Sequence, residues 1–302
     1  MRPAATYIST GPSDVFAMPP PTALEWPKLM SKRNSFTPPF APRGRAGVAP
    51  TPPWHYAADF VTIAFEASEQ AINDILPLGL VPDSRAGKVL CTASFAAWQA
   101  CTDEGDEFLD PSRSQYNECL IFVGARLGDE AVFHCPYIYV DSDLSMVRGW
   151  LLGYPKKFGV VHTTRSFVLT SPAAPALGRS GRFGGTLSLH GRRLADGHVN
   201  LEVEAEAEAP VFGSRPIIGR RHFASLYEGE QDKPAVDELT RLRGENFQIS
   251  NVWAGPAALR FYDSPTEDLD LLGPVRARRG YRYTVAMSNR FNIRVRDLKA
   301  PS

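Results

Sequence analysis

From residue 56 onward the chain is written almost entirely in strands, and that pattern confines it to a sheet-built fold. Asp59–Glu66 is rich in β-branched and aromatic residues, and Val89–Trp98, Tyr116–Ala125 and Ala131–Val140 follow between polar or Gly/Asp-containing turns. Phe183–Leu189, Phe247–Trp253 and Tyr281–Met287 add further runs. The clearest alternation lies at His198–Glu208. There Val199, Leu201, Val203, Ala205 and Ala207 interleave with Asn200, Glu202, Glu204, Glu206 and Glu208. This predicts one half-buried strand whose carboxylate face is solvated or an oligomer surface. Ser68–Leu76 reads as a short helix capped by Ser68, with Ala71, Ile72, Ile75 and Leu76 on one face. There is no βαβ alternation, internal repeat or Gly-rich phosphate loop. The fold class is mainly β (α+β), an antiparallel barrel or double sheet with a few short flanking helices.

Residues 1–54 differ. Pro19-Pro20-Pro21, Pro38-Pro39 and Pro52-Pro53 remove donors and fix φ, which leaves an N-terminal arm, extended on the body or partly disordered. Trp26 and Phe36 favour some docking of that arm. Residues 55–302 contain no linker and read as one domain.

Composition removes several function classes. Lys plus Arg equals Asp plus Glu at 33 each, so no basic excess attracts nucleic acid. No run of eighteen apolar residues exists to span a membrane, and the start, Met-Arg-Pro-Ala-Ala-Thr-Tyr, has no secretory h-region. Cytoplasmic location is the simplest expectation. Cys91, Cys101, Cys119 and Cys135 form no C-x-x-C pair and read as small core residues, although spacing leaves a disulfide open. The six histidines lack metal-ligand spacing, the acidic cluster Asp103–Glu107 lacks the EF-hand pattern, and no G-x-S-x-G elbow is present. No metal site is expected.

One segment carries chemistry. Asp143–Gly153 has helical spacing at Leu144, Val147 and Leu151, with Trp150 nearby and Asp143 as a plausible cap. Tyr154-Pro155 then leaves the helix, placing Lys156 and Lys157 at a stiff turn beside an apolar element. Two adjacent lysines are most often a solvated turn. A lysine nucleophile must be neutral, and at its usual pKa of about 10.4 only roughly one in a few thousand is so at neutral pH. Apolar walls and a second ammonium both lower that pKa.

Tyr154-Pro-Lys-Lys-Phe-Gly159 resembles the active-site segment of acetoacetate decarboxylases. Tyr116-Asn117-Glu118, 38 residues before Lys156, opens a hydrophobic strand as the family's catalytic glutamate does, and Trp253–Tyr262 is similar to a late strand. The likeness runs from about Tyr56 to Leu298. Acetoacetate decarboxylase is itself a standard example of a lysine activated by desolvation or a neighbouring cation, so that part of the match is not independent. The resemblance implies that Lys156 forms the imine, that Lys157 is its neighbouring lysine, and that Glu118 shuttles protons. Tyr116, Trp150, Tyr154 and Trp253 are the candidate substrate contacts, Trp253 as wall or core. The protonated imine is itself the electron sink, so no cofactor is called for, and the partner is a small keto acid. The family also suggests a homo-oligomer.

The pattern departs from the family at three polar positions. Gly149 and Trp150 stand where Arg-Glu is expected, with Arg148 one place away; Ser94 replaces a second acid, and Ala58, with His55 nearby, replaces an arginine. The expected function is decarboxylation of a β-keto acid such as acetoacetate. The alternative within the same chemistry is an aldol or dehydration step on a larger keto acid without loss of carbon dioxide. A third reading, from another class, is a non-catalytic β-barrel that binds an apolar carbonyl ligand.

Overall fold

The computed structural model describes residues 35–169, 171–205 and 209–299. The chain divides into two compact units, Met1–Gly47 and Val48–Ser302. In the first, the described residues 35–47 form turns and bends without a regular element. The second carries all the described strands and helices.

β1 (Trp54–Ser68) leads through helix α1 (Glu69–Asn73), β2 (Val81–Pro82) and β3 (Ser84–Arg85) to β4 (Lys88–Cys101). β5 (Gln115–Leu127) and β6 (Glu130–Val140) form a hairpin, followed by helix α2 (Asp143–Leu152), β7 (Lys156–Phe158) and β8 (Val160–Thr163). Then come β9 (Arg182–Leu189), β10 (Arg192–Asn200), β11 (Val203–Glu204), β12 (Ile217–Phe223) and β13 (Val236–Arg241). The chain ends with β14 (Gly244–Ile249), β15 (Trp253–Gly255), β16 (Ala257–Phe261), β17 (Arg276–Asn289) and β18 (Ile293–Asp297).

The long strands share one sheet ordered β11-β15-β17-β1-β4-β5-β6-β12-β13-β18, and a smaller sheet is ordered β16-β10-β9-β8. The fold is therefore the double sheet of the two expected architectures; no barrel closes. Pairing is antiparallel except at β6, which runs parallel to both β7 and β12. The first of these parallel pairs is a consequence of α2, since a parallel neighbour cannot be reached by a tight hairpin.

The central strands are buried on both faces, which explains their nearly unbroken apolar runs. On β5, Tyr116, Leu120 and Phe122 face one core with Ala96 and Trp98 of β4, while Cys119, Ile121 and Val123 face another core built against the small sheet. Glu118 belongs by its parity to the first row. Among the described residues no helix is long and apolar enough to cross a membrane. The four cysteines are free thiols, three of them buried.

Two expected strands are each broken in two. The alternation at His198–Glu208 is shared between sheets: β10 ends at Asn200 in the small sheet, while β11 pairs with β15 in the large one. Leu201 is buried at the crossing, but Val203 beyond it is exposed. Gly255 permits the crossing, because a Cβ there would lie 1.8 Å from the Asn200 carbonyl oxygen. Glu206, Ala207 and Glu208 fall outside the described residues. Phe247–Trp253 likewise divides between β14 and β15, both on β17.

The two sheets are in close contact at Gly185 of β9, where a Cβ would sit 2.1 Å from Phe95 Cγ. Phe95 is wholly buried and rooted on β4. Gly185→Ala should therefore cost about 1–3 kcal/mol of stability through overpacking, read as a lowered midpoint in chemical denaturation. An unchanged midpoint would mean that the sheets have slack there.

Candidate active site

The site forms where β5, β6 and β7 lie side by side. Leu120, Ile138 and Lys156 share one row across these strands, and Glu118 and Val140 lie in the adjoining position of the same face. Lys156 and Glu118, 38 residues apart in sequence, are thus brought together. The Lys156 amine donates to Glu118 Oε2 at 2.6 Å and to Ser145 Oγ at 2.9 Å. Trp98 Nε1 donates to the other carboxylate oxygen at 3.1 Å, so both Glu118 oxygens are engaged. Both ions are buried.

Helix α2 roofs this row. Its cap is Ser142, whose hydroxyl accepts from Ser145 N, rather than Asp143, which accepts from the next amide, Leu144 N. Its buried face is Ser145, Arg148 and Gly149, with Leu152 one turn on, whereas Leu144, Val147 and Leu151 are only half-buried. The helix therefore turns its polar and small residues inward, the reverse of the apolar stripe expected. Gly149 is decisive for the lysine. A Cβ there would lie 2.3, 2.5 and 2.8 Å from Lys156 Cδ, Cγ and Cε, so the lysine stem crosses the helix over the missing side chain. Gly153 closes α2 with φ of 96°, and Tyr154 N then donates to Gly149 O at 2.8 Å. This sharp exit aims Lys156 back beneath the helix.

A cavity opens at the amine, lined by Tyr56, Trp98, Tyr116, Glu118, Arg148, Tyr154 and Lys156, with Phe212, Leu242, Met287 and Asn289 along one wall. The empty space between these residues, open solvent at the mouth included, is about 500 Å³. Arg148 is buried and lies 5.8, 5.3 and 5.9 Å from the ring centroids of Trp54, Tyr56 and Tyr116. Among the described residues its Nη2 has no hydrogen-bond partner, and neither has Tyr154 Oη. Burial lowers the Lys156 pKa; Glu118 opposes that shift and Arg148 adds to it. Burial also holds the Tyr116 and Tyr154 phenols well above their ordinary range, so both stay protonated.

Of the seven candidates, Lys156, Glu118, Tyr116 and Tyr154 meet in this cavity. The other three lie outside its lining. Lys157 points to the opposite face of β7, where its ammonium pairs with buried Glu267, itself bonded by Tyr139 Oη at 2.6 Å. Trp150 stands on the outer side of α2, where its indole N–H caps the Lys156 carbonyl at 2.8 Å. Trp253 packs beside the small cluster of Val61, Phe183, Val199 and Leu201. Arg148, Ser145, Gly149 and Trp98 are what the sequence reading missed as site residues. Their signal was the i, i+3, i+4 spacing of Ser145, Arg148 and Gly149 on α2. Among the described residues no cluster of His, Cys, Asp and Glu is placed to hold a metal.

A family model described as acetoacetate decarboxylase (ADC) matches residues 36–298. The chain belongs to the acetoacetate decarboxylase family. Among solved structures, the enduracididine biosynthesis enzyme MppR is similar at 28% identity and a TM-score of 0.79, over 87% of this chain and 95% of MppR. An acetoacetate decarboxylase-like enzyme from Sphingomonas wittichii RW1 gives 0.79 at 24% identity, over 87% and 100%. Acetoacetate decarboxylase from Legionella pneumophila gives 0.70 at 18%, over 89% and 96%. These last two show a shared fold. MppR has been solved with pyruvate and with the condensation product of pyruvate and imidazole 4-carboxaldehyde. No curated protein matches the chain.

The departures from the family pattern now have places. Ser94 bonds Thr62 at 2.8 Å, and Thr62 bonds Tyr283 Oη at 2.8 Å, which accepts from Phe212 N at 2.9 Å. These bonds brace the cavity wall at Phe212. Ala58 lies in the core, and His55 bonds Asp103 and Ser288, each at 2.8 Å, outside the cavity lining.

Gly149→Ala separates helix propensity from site geometry. Alanine favours the helix by about 1 kcal/mol, yet its methyl occupies the path of the Lys156 stem. In a carbon-13 reductive-methylation titration, wild-type Lys156 should titrate below 10.5. In the variant it should return toward that ordinary value as the amine is driven out. An unaltered Lys156 titration in a folded variant would rule out this account of Gly149.

Proposed function

We propose that the protein is a Schiff-base lyase for a 2-keto acid, that Arg148 holds the substrate carboxylate, and that carbon dioxide is not released. The carrying observation is Arg148: a buried guanidinium, enclosed by aromatic rings, with an unpartnered Nη2 in the same cavity as the amine. A buried cation with a free donor calls for an anion, and a carboxylate suits the guanidinium fork. The relation to MppR, which was solved with pyruvate, supports the same substrate class.

In this reading neutral Lys156 attacks C2 of the keto acid, and loss of water gives a protonated imine. Glu118, already within hydrogen-bond reach of the nitrogen, removes a proton from C3 to leave the enamine. The enamine carbon then adds to an aldehyde, or the enamine expels a leaving group from C4, and water hydrolyses the resulting imine to free the product and the amine. The cavity contains two cations, imine and Arg148, against two anions, Glu118 and the substrate carboxylate. Decarboxylation of a β-keto acid would use the same amine and is supported by the family match. It would require the departing carboxylate to shed its charge, and a guanidinium that stabilises that charge in the ground state raises the barrier.

Cyanoborohydride trapping with pyruvate should yield a reduced adduct on Lys156 that retains its carboxylate, while acetoacetate should give no sustained carbon dioxide release. Rapid carbon dioxide release from acetoacetate would restore the decarboxylase reading. Absence of any adduct on Lys156 would end the imine mechanism.

The pH dependence of trapping carries a sign. The rate follows the neutral fraction of Lys156, so it should rise with pH through an inflection below 10.5. Arg148 lowers this pKa and Glu118 raises it. Arg148→Met should therefore move the inflection up, and Glu118→Gln should move it down. Shifts in the reverse directions would refute the electrostatic account.

A further inference from the structure

Resting on the 2-keto acid reading, the structure points to a second recognition element in the lining of the same cavity. Asn289 is the last residue of β17. Tyr281, Tyr283, Val285 and Met287 alternate along that strand toward the core around the cavity, and Asn289 is the next residue on that side. It lines the cavity with Met287 and is completely buried. Its Nδ2 donates to the Arg243 carbonyl at 3.1 Å. A carbonyl can only accept, so this bond fixes which end of the amide is which. The oxygen left over, Oδ1, is buried and has no partner among the described residues.

The structural need for a polar residue is met by the Nδ2 bond alone. A buried amide oxygen without a donor opposes folding, and the surrounding wall of Phe212, Leu242 and Met287 would accept an apolar residue. The cavity thus combines an unpartnered donor, Arg148 Nη2, with an unpartnered acceptor, Asn289 Oδ1. Both residues line the cavity, and both atoms are buried. Met287, unbranched and two residues from Asn289, is the side chain able to move aside for a ligand.

We infer that Asn289 Oδ1 accepts a hydrogen bond from an N–H or O–H group of the substrate, making Asn289 a specificity-determining residue. The substrate class is then a 2-keto acid larger than pyruvate that carries a donor, either as the reactant or as the product of condensation.

The test is competitive trapping on the full chain. Cyanoborohydride is added to equimolar pairs of keto acids matched in shape, and the Lys156 adducts are counted by mass. One pair is 4-hydroxyphenylpyruvate against 4-methylphenylpyruvate; the other is imidazol-4-ylpyruvate against thiazol-4-ylpyruvate. Pyruvate alone serves as the control for the imine. The wild type should favour the donor-bearing member of at least one pair by about tenfold, the worth of one buried hydrogen bond. Asn289→Leu should bring that ratio to about one, and Asn289→Asp, which keeps an acceptor, should preserve the preference. Should the leucine variant fail to fold, the wild-type ratio and the aspartate variant still decide. A pyruvate adduct with ratios near one in both pairs, or with no adduct from either pair, would overturn the role of Asn289 alone. A ratio unchanged in a folded Asn289→Leu would do the same. No adduct from any keto acid would overturn both this inference and the reading on which it rests.

Discussion

A lysine amine held out of water, 2.6 Å from an equally buried carboxylate, is the interaction on which the surrounding architecture depends. Burying two ions is unfavourable unless their geometry is good and their remaining donors and lone pairs are engaged. Here Ser145 takes a second bond from the amine and Trp98 donates to the far oxygen of Glu118. Each partner arrives from a different direction: Glu118 from β5, Trp98 from β4, Ser145 from α2 and Lys156 from β7. Only a sheet closed over by α2 can supply all four. The parallel insertion of β7 beside β6 and the helix that spans the crossover are therefore parts of one device.

Much of this frame was legible because local chemistry and global fold agree. The central strands announce themselves by β-branched and aromatic runs, and they occur where those runs predict. Ser68 caps its helix as its position suggests, through a bond from Ala71 N. What eluded the sequence were places where a distant segment decides the outcome. The long alternation at His198–Glu208 carries no mark of the point where the chain leaves one sheet for the other, because the room for that crossing is created by Gly255, more than fifty residues later. In α2 the apolar residues drew the eye to the wrong face. The inward face is set by what lies beneath it, a lysine stem that needs a glycine and an amine that needs a hydroxyl. The Lys156–Glu118 partnership was readable only through the family resemblance; nothing in the intervening 38 residues specifies it.

The second cation near the amine is also not the one that adjacency suggests. Lys157 follows Lys156 in sequence, but strand alternation sends successive side chains to opposite faces, and Glu267 holds Lys157 there. The cation that lowers the Lys156 pKa is Arg148, three residues after the site's serine and next to its glycine on a helix. Adjacency in a strand separates side chains, whereas helical spacing gathers them. The familiar tandem lysine thus serves here as an anchor that orients β7, and desolvation does most of the tuning.

That exchange has a chemical consequence. A lysine on the far face could influence the amine only through the sheet, and it would offer a substrate nothing to touch. Arg148 sits inside the cavity with a free donor, so the same charge that depresses the amine pKa is positioned to bind an anion. Before a substrate arrives, Arg148 disfavours the charged form of Lys156. On the proposed mechanism, a carboxylate on the guanidinium would cancel that influence and favour the protonated imine. One buried arginine would thereby serve both halves of the reaction, holding the amine ready and then letting it carry charge, without any movement of the helix that bears it.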